Sequence, residues 1–359
     1  MPGVVSLSDY VPFLIFFFLI SLTRFSELEV EVFCYALIST VPHQLILSIL
    51  ERYVHGRFYF FDDRLPIFDF YLLDIHFVPG LRTSAGFFNP NILSCYCVIC
   101  GGVALGLLIK EMENVRSERD KKLFSLVRIL VVLTCFTFCI VLLVWSESDG
   151  GIITFLIAII LLLAWIKNKF LYIGIFGFVS TLLTLIASNK IGWITQLLSF
   201  IIPQKLLSLL VSALQSFDDR VLYYKCAVQL IQEKPITGWG IGKFASECSS
   251  RTGIQMVHAH NIVLQLGGDV GLPCTILLGC LVGYLIFSCI LFIRQERSKQ
   301  NQNSSLYLGI IVTTISVVLM QFFDLALLMS YRLNFLFWIC LAIPYSLASQ
   351  PKVLKISQG

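Results

Sequence analysis

The feature that most constrains the fold is a series of apolar runs, each close to the length of a membrane-spanning helix. The runs cover about residues 10–23, 30–50, 91–109, 124–145, 150–166, 170–187, 262–293, 306–323 and 333–348. A helix needs roughly 20 apolar residues to cross a bilayer. The chain is 57% hydrophobic and 13% charged, whereas soluble domains carry about 25% charged residues. We therefore predict an all-α integral membrane protein, a single polytopic domain over residues 1–359 with about nine transmembrane helices.

The first run follows Asp9 rather than a basic cluster, and no small-residue cleavage site comes after it, so we expect a retained helix instead of a signal peptide. Basic residues cluster near 116–128, 167–169, 294–299 and 352–355. With nine helices these clusters share one face, which the positive-inside rule makes cytoplasmic. The loops at 51–90, 146–150, 188–260 and 324–332 would then share the outer face. The net charge of +4 gives no reason to expect a nucleic-acid partner.

Twelve cysteines raise the question of a disulfide framework or a metal site. Most of them lie inside apolar runs, where cysteine behaves as a small hydrophobe. Cys95, Cys97 and Cys100 have metal-like spacing, but their helix is apolar and lacks a second ligand pair. The cysteines therefore predict no metal site.

The 188–260 segment is the largest predicted outer loop, and loops of this length are usually functional. Residues 216–235 read as an amphipathic helix with Val221, Tyr224, Val228 and Ile231 at helical spacing, Arg220 in its first turn and Pro235 after its end. Arg220 is then either a functional cation or a solvated or headgroup arginine. Next comes GWGIGKF (238–244), for which a turn with close backbone packing is favoured over a phosphate loop, because no strand precedes it.

A polar face follows where the 262–293 run begins. His258, His260 and Asn261 stand at the start of the run, and Asn261, Gln265 and Asp269 recur at intervals of four, which places them on one helix face. Asp269 in an apolar helix is a functional candidate, and a polar contact between helices is the alternative. Asp324 and Arg332 flank another outer loop, where they would complete a pocket or form a salt bridge.

Three segments taken together resemble a known family. RTSAGFFNPN (82–91), DDRVLYYKCAVQLIQEKPITGWGIGKF (218–244) and HAHNIVLQLGGDVGL (258–272) are similar to the O-antigen ligase/polymerase family of membrane glycosyltransferases. The resemblance implies a GT-C-like enzyme of the bacterial inner membrane, active on its periplasmic face and acting in lipopolysaccharide biosynthesis. The 188–260 segment would be its large periplasmic loop, between helices 6 and 7.

The resemblance also implies a donor, an acceptor and residue roles. The enzyme would move a glycan from an undecaprenyl-diphosphate carrier to a hydroxyl of lipid A-core or a growing polysaccharide, without metal or nucleotide. His260 would be the general base and Arg220 a clamp on the diphosphate, with Asn261 and Arg82 also binding substrate. Supporting roles fall to Asp149, Lys243, Asp269 and Asp324.

Two departures from the family pattern leave alternatives open. Many members carry Ser-Arg-Gly where this chain has SESDGG (146–151), so Asp149 replaces an arginine, and Arg82, Lys243 or Arg251 would have to compensate. The chain is also shorter than the family's pattern of roughly twelve helices, so the fold is trimmed or the start incomplete. The alternatives are a polysaccharide polymerase, a protein O-oligosaccharyltransferase, and a protein associated with bicarbonate or solute transport that uses Asp269 and Asp324.

Overall fold

The computed structural model describes residues 11–53, 57–59, 74–76, 82–87, 89–117, 122–165, 220–299, 301, 303–327 and 330–349. Within them the helices are α1 (Val11–Leu22), α2 (Glu27–Ser39), α3 (Val41–Tyr53), α4 (Pro90–Ser117), α5 (Lys122–Ser146), α6 (Asp149–Trp165), α7 (220–233), α8 (Phe244–Thr252), α9 (Ile262–Val270), α10 (Leu272–Ser298), α11 (Ser304–Met320) and α12 (Tyr331–Ser349). A short 3-10 turn covers Ala85–Phe87. Two strands, β1 (Arg57–Tyr59) and β2 (Asp74–His76), pair antiparallel.

The helices confirm a membrane protein. Five helical segments are long and apolar enough to cross a bilayer, namely Glu27–Tyr53, Pro90–Val115, Leu123–Ser146, Leu272–Ser298 and Tyr331–Ser349. All the predicted runs except 170–187 coincide with helices, and that run lies outside the described residues. The total of nine crossings therefore stays a prediction. The paired strands are a small exception to the all-α prediction, and they fall in the predicted 51–90 loop.

Two predicted continuous helices are divided. The 30–50 run is interrupted at Thr40, which caps the C-terminus of α2 just before Pro42 enters α3. Proline lacks a backbone N–H and fits the first turn of a new helix. The 262–293 run is interrupted at Gly271, whose φ of +82° ends α9 and begins α10. The long run thus supplies one spanning helix and a short helix that projects from it.

The core is organised around α4, which packs against α5, α6 and α11. Small residues allow the closest of these contacts: a Cβ on Gly106 would lie 2.8 Å from the Cα of Gly309 on α11. Small residues at such crossings let helix backbones approach and gain van der Waals contact, which is how membrane helices associate without a hydrophobic driving force.

One end of the bundle collects the predicted cytoplasmic segments. There Asn303 donates to Glu27 (2.6 Å) and Arg297 donates to the Trp165 carbonyl (2.6 Å). Helix α4 ends at Ser117 and α5 begins at Lys122, and Ser305 at the start of α11 donates to Glu113 of α4 (2.9 Å). The described residues of the basic clusters near 116–128 and 294–299 therefore lie at one end, as predicted, whereas the clusters at 167–169 and 352–355 lie outside the described residues.

A partly buried ionic network lies near this basic end. Glu31 of α2 accepts from Lys110 (2.6 Å) and Arg128 (2.9 Å), and Arg128 also lies 3.3 Å from Glu111. Glu111 is fully buried and accepts a hydrogen bond from Tyr35. Charges removed from water are tolerated when they are paired and hydrogen-bonded, so this network joins α2, α4 and α5.

Candidate active site

A small subdomain, which we call the cap (residues 220–260), stands at the opposite end of the bundle. It has its own buried cluster, separate from the main core, made of Cys226, Ala227, Leu230, Phe244, Cys248, Met256 and Ala259. The sequence predicted helix α7, which ends at 233 just before Pro235. The apolar stripe at helical spacing is only partly buried: Val221 and Val228 are each 42% exposed, while Cys226, Ala227 and Leu230 form the face that packs into the cap.

A disulfide holds the cap together. Cys226 on α7 is bonded to Cys248 on α8, with 5.9 Å between the two Cα atoms, while the other ten cysteines are free. The sequence reading, in which cysteines served as small hydrophobes, missed this pair. The available signal was their position, since both lie in the predicted outer loop and outside the apolar runs. Disulfides persist on the oxidising side of a membrane.

The glycine-rich turn joins the cap to the end of α9. Trp239 and Gly240 donate their backbone N–H groups to the carbonyls of Gly268 (2.9 Å) and Asp269 (2.8 Å). Gly238 has a φ of +64°, and a Cβ there would lie 2.4 Å from the Asp269 carbonyl oxygen. The contact confirms the prediction of a turn with close backbone packing.

Asp269 belongs to this joint. Its carboxylate accepts from the backbone N–H of Phe244 at the start of α8 (3.0 Å) and from Gln265 (2.8 Å), which shares its helix face as predicted. Burial raises the pKa of Asp269, and these hydrogen bonds oppose the increase. Because the helix breaks at Gly271, Asp269 lies on short α9 rather than within the spanning α10. Its hydrogen bonds connect α9 to the start of α8.

Two histidines and a carboxylate meet beside the cap. The Nε2 atom of His258 lies 3.6 Å from Asp324 Oδ1, and the Nδ1 atom of His260 lies 3.7 Å from the same oxygen. The two imidazole centroids are 4.1 Å apart, and Tyr223 of α7 packs edge-on against His260. His260 has a φ of +53°, a strained backbone state for a non-glycine residue that is typical of functional sites.

The surroundings keep Asp324 ionised. Burial alone would raise its pKa, but His258 and His260 outweigh burial and hold the pKa of Asp324 below its ordinary value. Two hydrogen bonds hold the histidine segment and Asp324 in place. Ile262 donates to the Gln321 carbonyl (2.9 Å), and Leu325 donates to Asp324 Oδ1 (2.7 Å).

Two arginines lie next to this group. Arg220 at the beginning of α7 donates to the carbonyl of Phe323, the residue before Asp324. Arg82 donates from Nε to the Ser146 carbonyl (2.9 Å) and from Nη2 to Asn91 Oδ1 (2.7 Å). Asn91 in turn donates to Asp324 Oδ2. The structure therefore brings Arg82, Arg220, His260 and Asp324 together from four separate segments.

Asp149 lies on the edge of the same group. Partial burial lowers the pKa of Arg82; the charges of Asp149, Asp324 and Glu147 oppose this, and nearby Arg220 adds to it. Arg82 is anchored to Ser146, on the turn between α5 and α6 that carries Asp149. The Arg82 guanidinium, from a segment distant in sequence, thus lies near Asp149, the position at which many family members have an arginine.

The remaining predicted residues have structural contacts. Asn261 is the N-cap of α9: its side chain accepts from the N–H groups of Val263 and Leu264 and donates to the Phe322 carbonyl. Lys243 precedes α8 and is exposed. Arg332 donates to the Gly86 carbonyl (3.3 Å), which joins α12 to the 82–91 segment. The substrate-binding role of Asn261 and the supporting role of Lys243 stay predictions.

Among the described residues, His258, His260 and Asp324 form the one cluster with ligand atoms close enough together to hold a metal ion. Metal-bound imidazoles usually donate their second nitrogen to a carbonyl or carboxylate. Among the described residues, neither ring nitrogen of His258 nor Nδ1 of His260 has a hydrogen-bond partner, so the hydrogen-bonded shell of a typical metal-bound imidazole is not formed there. A carboxylate beside an imidazole is also the arrangement of a general base.

The fold and the site define a polytopic membrane protein with a polar, cationic site at one end of its helix bundle. Residues 133–279 match the family described as O-Antigen ligase, which confirms the predicted resemblance. At the family level the match supports a membrane glycosyltransferase of the O-antigen ligase/polymerase type. It includes Asp149, Arg220 and His260, whereas Arg82 and Asp324 lie outside the matched residues. No curated protein matches the chain.

Proposed function

We propose that the protein transfers a glycan from undecaprenyl diphosphate to an acceptor hydroxyl, with His260 as the general base. The observation that carries this proposal is the meeting of one imidazole–carboxylate pair and two arginines at the end of the bundle opposite the basic segments. Proton removal and stabilisation of a diphosphate leaving group are the two requirements of such a transfer.

The proposed mechanism places the ring proton of neutral His260 on Nδ1. Its Nδ1 faces Asp324 Oδ1 at 3.7 Å, so a proton on Nδ1 leaves the Nε2 lone pair for the acceptor hydroxyl. As the acceptor oxygen attacks the anomeric carbon, its proton passes to Nε2 and the bond from that carbon to the diphosphate oxygen breaks. Asp324 then stabilises the imidazolium that has formed.

In this proposal Arg220 and Arg82 stabilise the negative charge on the diphosphate leaving group. A guanidinium binds phosphate oxygens through paired, charge-assisted hydrogen bonds, and such bonds strengthen as negative charge develops. Arg220 would be the main clamp, and Arg82 would offset the repulsion from Asp149. Undecaprenyl diphosphate supplies the activated sugar, so the proposed reaction uses neither a metal nor a nucleotide.

Two observations favour the periplasmic face of the inner membrane. The site lies at the end of the bundle away from the basic segments, which the positive-inside rule assigns to the cytoplasm. The disulfide in the cap is typical of an oxidising compartment. The proposed acceptors, lipid A-core or a growing polysaccharide, would then have to reach the site on that face.

The test is glycan transfer by purified protein from an undecaprenyl-diphosphate oligosaccharide. Lipid A-core and free glycan are offered side by side, and the productive acceptor separates a ligase from a polymerase. His260→Ala should abolish transfer, whereas His43→Ala, an exposed histidine on α3, should leave it unchanged. Transfer that persists in His260→Ala would overturn the assignment of the base. No transfer by the wild-type protein, with donor and fold intact, would favour the transport alternative and make bicarbonate flux the next measurement.

A further inference from the structure

Asn91 connects the two halves of the site. Its side-chain oxygen accepts from Arg82 Nη2 at 2.7 Å, and its side-chain nitrogen donates to Asp324 Oδ2. Asn91 lies in the first turn of α4, whereas Arg82 comes from the preceding segment and Asp324 from the turn after α11. The Asn91 amide is therefore hydrogen-bonded both to the proposed phosphate-binding Arg82 and to Asp324, the carboxylate beside the proposed base.

We propose that Asn91 is a positioning residue that couples the diphosphate clamp to the general base. This inference rests on the proposed function and goes beyond it, since it assigns a role to a residue that contacts neither His260 nor, in the proposed mechanism, the reacting atoms. The chain of contacts runs from Arg82 through Asn91 to Asp324 and from there to both imidazoles.

The contacts of Asp324 explain why an amide is required. Oδ1 accepts from the Leu325 N–H (2.7 Å) and faces His258 and His260. Oδ2 is bound by Asn91, so the Asn91 amide fixes the rotation of the carboxylate that directs Oδ1 at the imidazoles. Asparagine is neutral and carries a donor and an acceptor on one short side chain, so it can hold a cation and an anion at once.

Two substitutions separate the two connections. Asn91→Asp keeps an acceptor for Arg82 but removes the donor to Asp324 and places two carboxylates side by side, which is unfavourable. Asn91→Leu has nearly the same shape and removes both connections. The matched control is Asn114→Ala, because Asn114 lies on the same helix near the basic end and donates weakly to Glu111 (3.5 Å).

The kinetic measurement is transfer at varied donor concentration. For Asn91→Asp we expect kcat to fall at least tenfold while the donor KM stays within about twofold, because Arg82 remains held. For Asn91→Leu we expect a similar loss in kcat and a severalfold rise in donor KM. A purely structural role would lower the amount of folded protein without this division between kcat and KM.

A measurement that does not need activity keeps this inference distinguishable from the proposed function. Protein labelled with ¹⁵N-histidine reports ring-nitrogen chemical shifts, and the signals of His258 and His260 are assigned by their loss in His258→Gln and His260→Gln. Asn91→Leu should shift these two sets of signals, and Asn114→Ala should leave them unchanged. Unshifted signals in Asn91→Leu would overturn the coupling whether or not transfer is observed.

Discussion

The cap should depend on its disulfide. Replacing both cysteines, in Cys226→Ala/Cys248→Ala, removes the bond without leaving a lone thiol. The two residues are almost fully buried, and the cap core contains few other buried apolar side chains. Such a small core gives limited stability, and a covalent link then makes a large relative contribution.

The magnitude follows from the sequence separation of 22 residues. In the chain-entropy treatment, closing a loop of about this length removes about 11 cal/mol/K from the open state, or about 3 kcal/mol at 25 °C. Each 1.4 kcal/mol is a factor of ten in an equilibrium constant. Local opening of the cap should therefore become about 100-fold more frequent in the double variant.

Hydrogen–deuterium exchange in lipid nanodiscs measures this opening directly. Peptides from α7, α8 and the segment before α9 should exchange about 100-fold faster, whereas peptides from α4 and α11 should be unchanged because they belong to the main core. The control variant is Cys274→Ala/Cys280→Ala, which removes two exposed free thiols of α10.

Two results would contradict this prediction. If cap exchange is the same in the wild type, the double variant and reductant-treated protein, the disulfide does not hold the cap, and the cap core alone suffices. If exchange rises equally in α4 and α11, the bond stabilises the whole protein and the cap is not a separate unit. Under the proposed function, transfer should fall with the protection of α7, because α7 carries Arg220 and Tyr223.

Three further outcomes test other parts of the site. Arg220→Ala should raise the donor KM at least tenfold, and Arg220→Lys should restore it only in part, because an ammonium cannot bind a diphosphate in bidentate fashion. Donor titration measures this with Arg24→Ala as the control, and full rescue by lysine would argue against a paired contact. Gly238→Ala and Gly253→Ala both place a side chain at a positive φ, which costs about 1 kcal/mol, but Gly238→Ala should destabilise the cap more because only its new Cβ has backbone atoms within 4 Å. Equal losses of exchange protection in the cap would show that the contact with Asp269 is unimportant. The lowered pKa of Asp324 means that its ionised form contributes stability above its ordinary pKa of 3.8 and loses that contribution as pH falls through the lowered value. Asp324→Asn should therefore flatten the loss of thermal stability below about pH 4, and an unchanged acid limb in melting curves from about pH 2 to pH 7 would contradict this linkage.

The helices and the matched family segments could be predicted from the sequence, for a local reason. In a bilayer the backbone must satisfy its hydrogen bonds within each segment, so a run of apolar residues near spanning length is sufficient to indicate a helix. The breaks inside such runs were harder to predict. Gly271 ends α9 because the cap backbone approaches it, and a Cβ there would lie 2.2 Å from the Ile236 carbonyl oxygen.

The residues of the proposed site were also recognised locally. His260 and Arg220 stand in short segments that resemble a family, and Arg82 and Asp324 were placed by topology on the same face. Their mutual geometry was not predictable, because the contacts join residues far apart in the chain: Asn91 and Asp324, for example, are 233 residues apart. From the sequence, Asn91 was therefore only part of a motif, and no partner was predicted for His258.

Sequence alone determined that this chain forms apolar helices and carries one polar segment fit for proton transfer and phosphate binding, since hydropathy and side-chain chemistry belong to individual residues. Only the tertiary structure decided that Cys226 bonds Cys248, that Asp269 joins α8 to α9, and that Asn91 lies between Arg82 and Asp324. The disulfide depends on how α7 packs on α8 inside the cap, whereas the other two contacts depend on which helix ends meet. Close packing of small residues, such as Gly106 on α4 against Gly309 on α11, helps to fix which helices are neighbours.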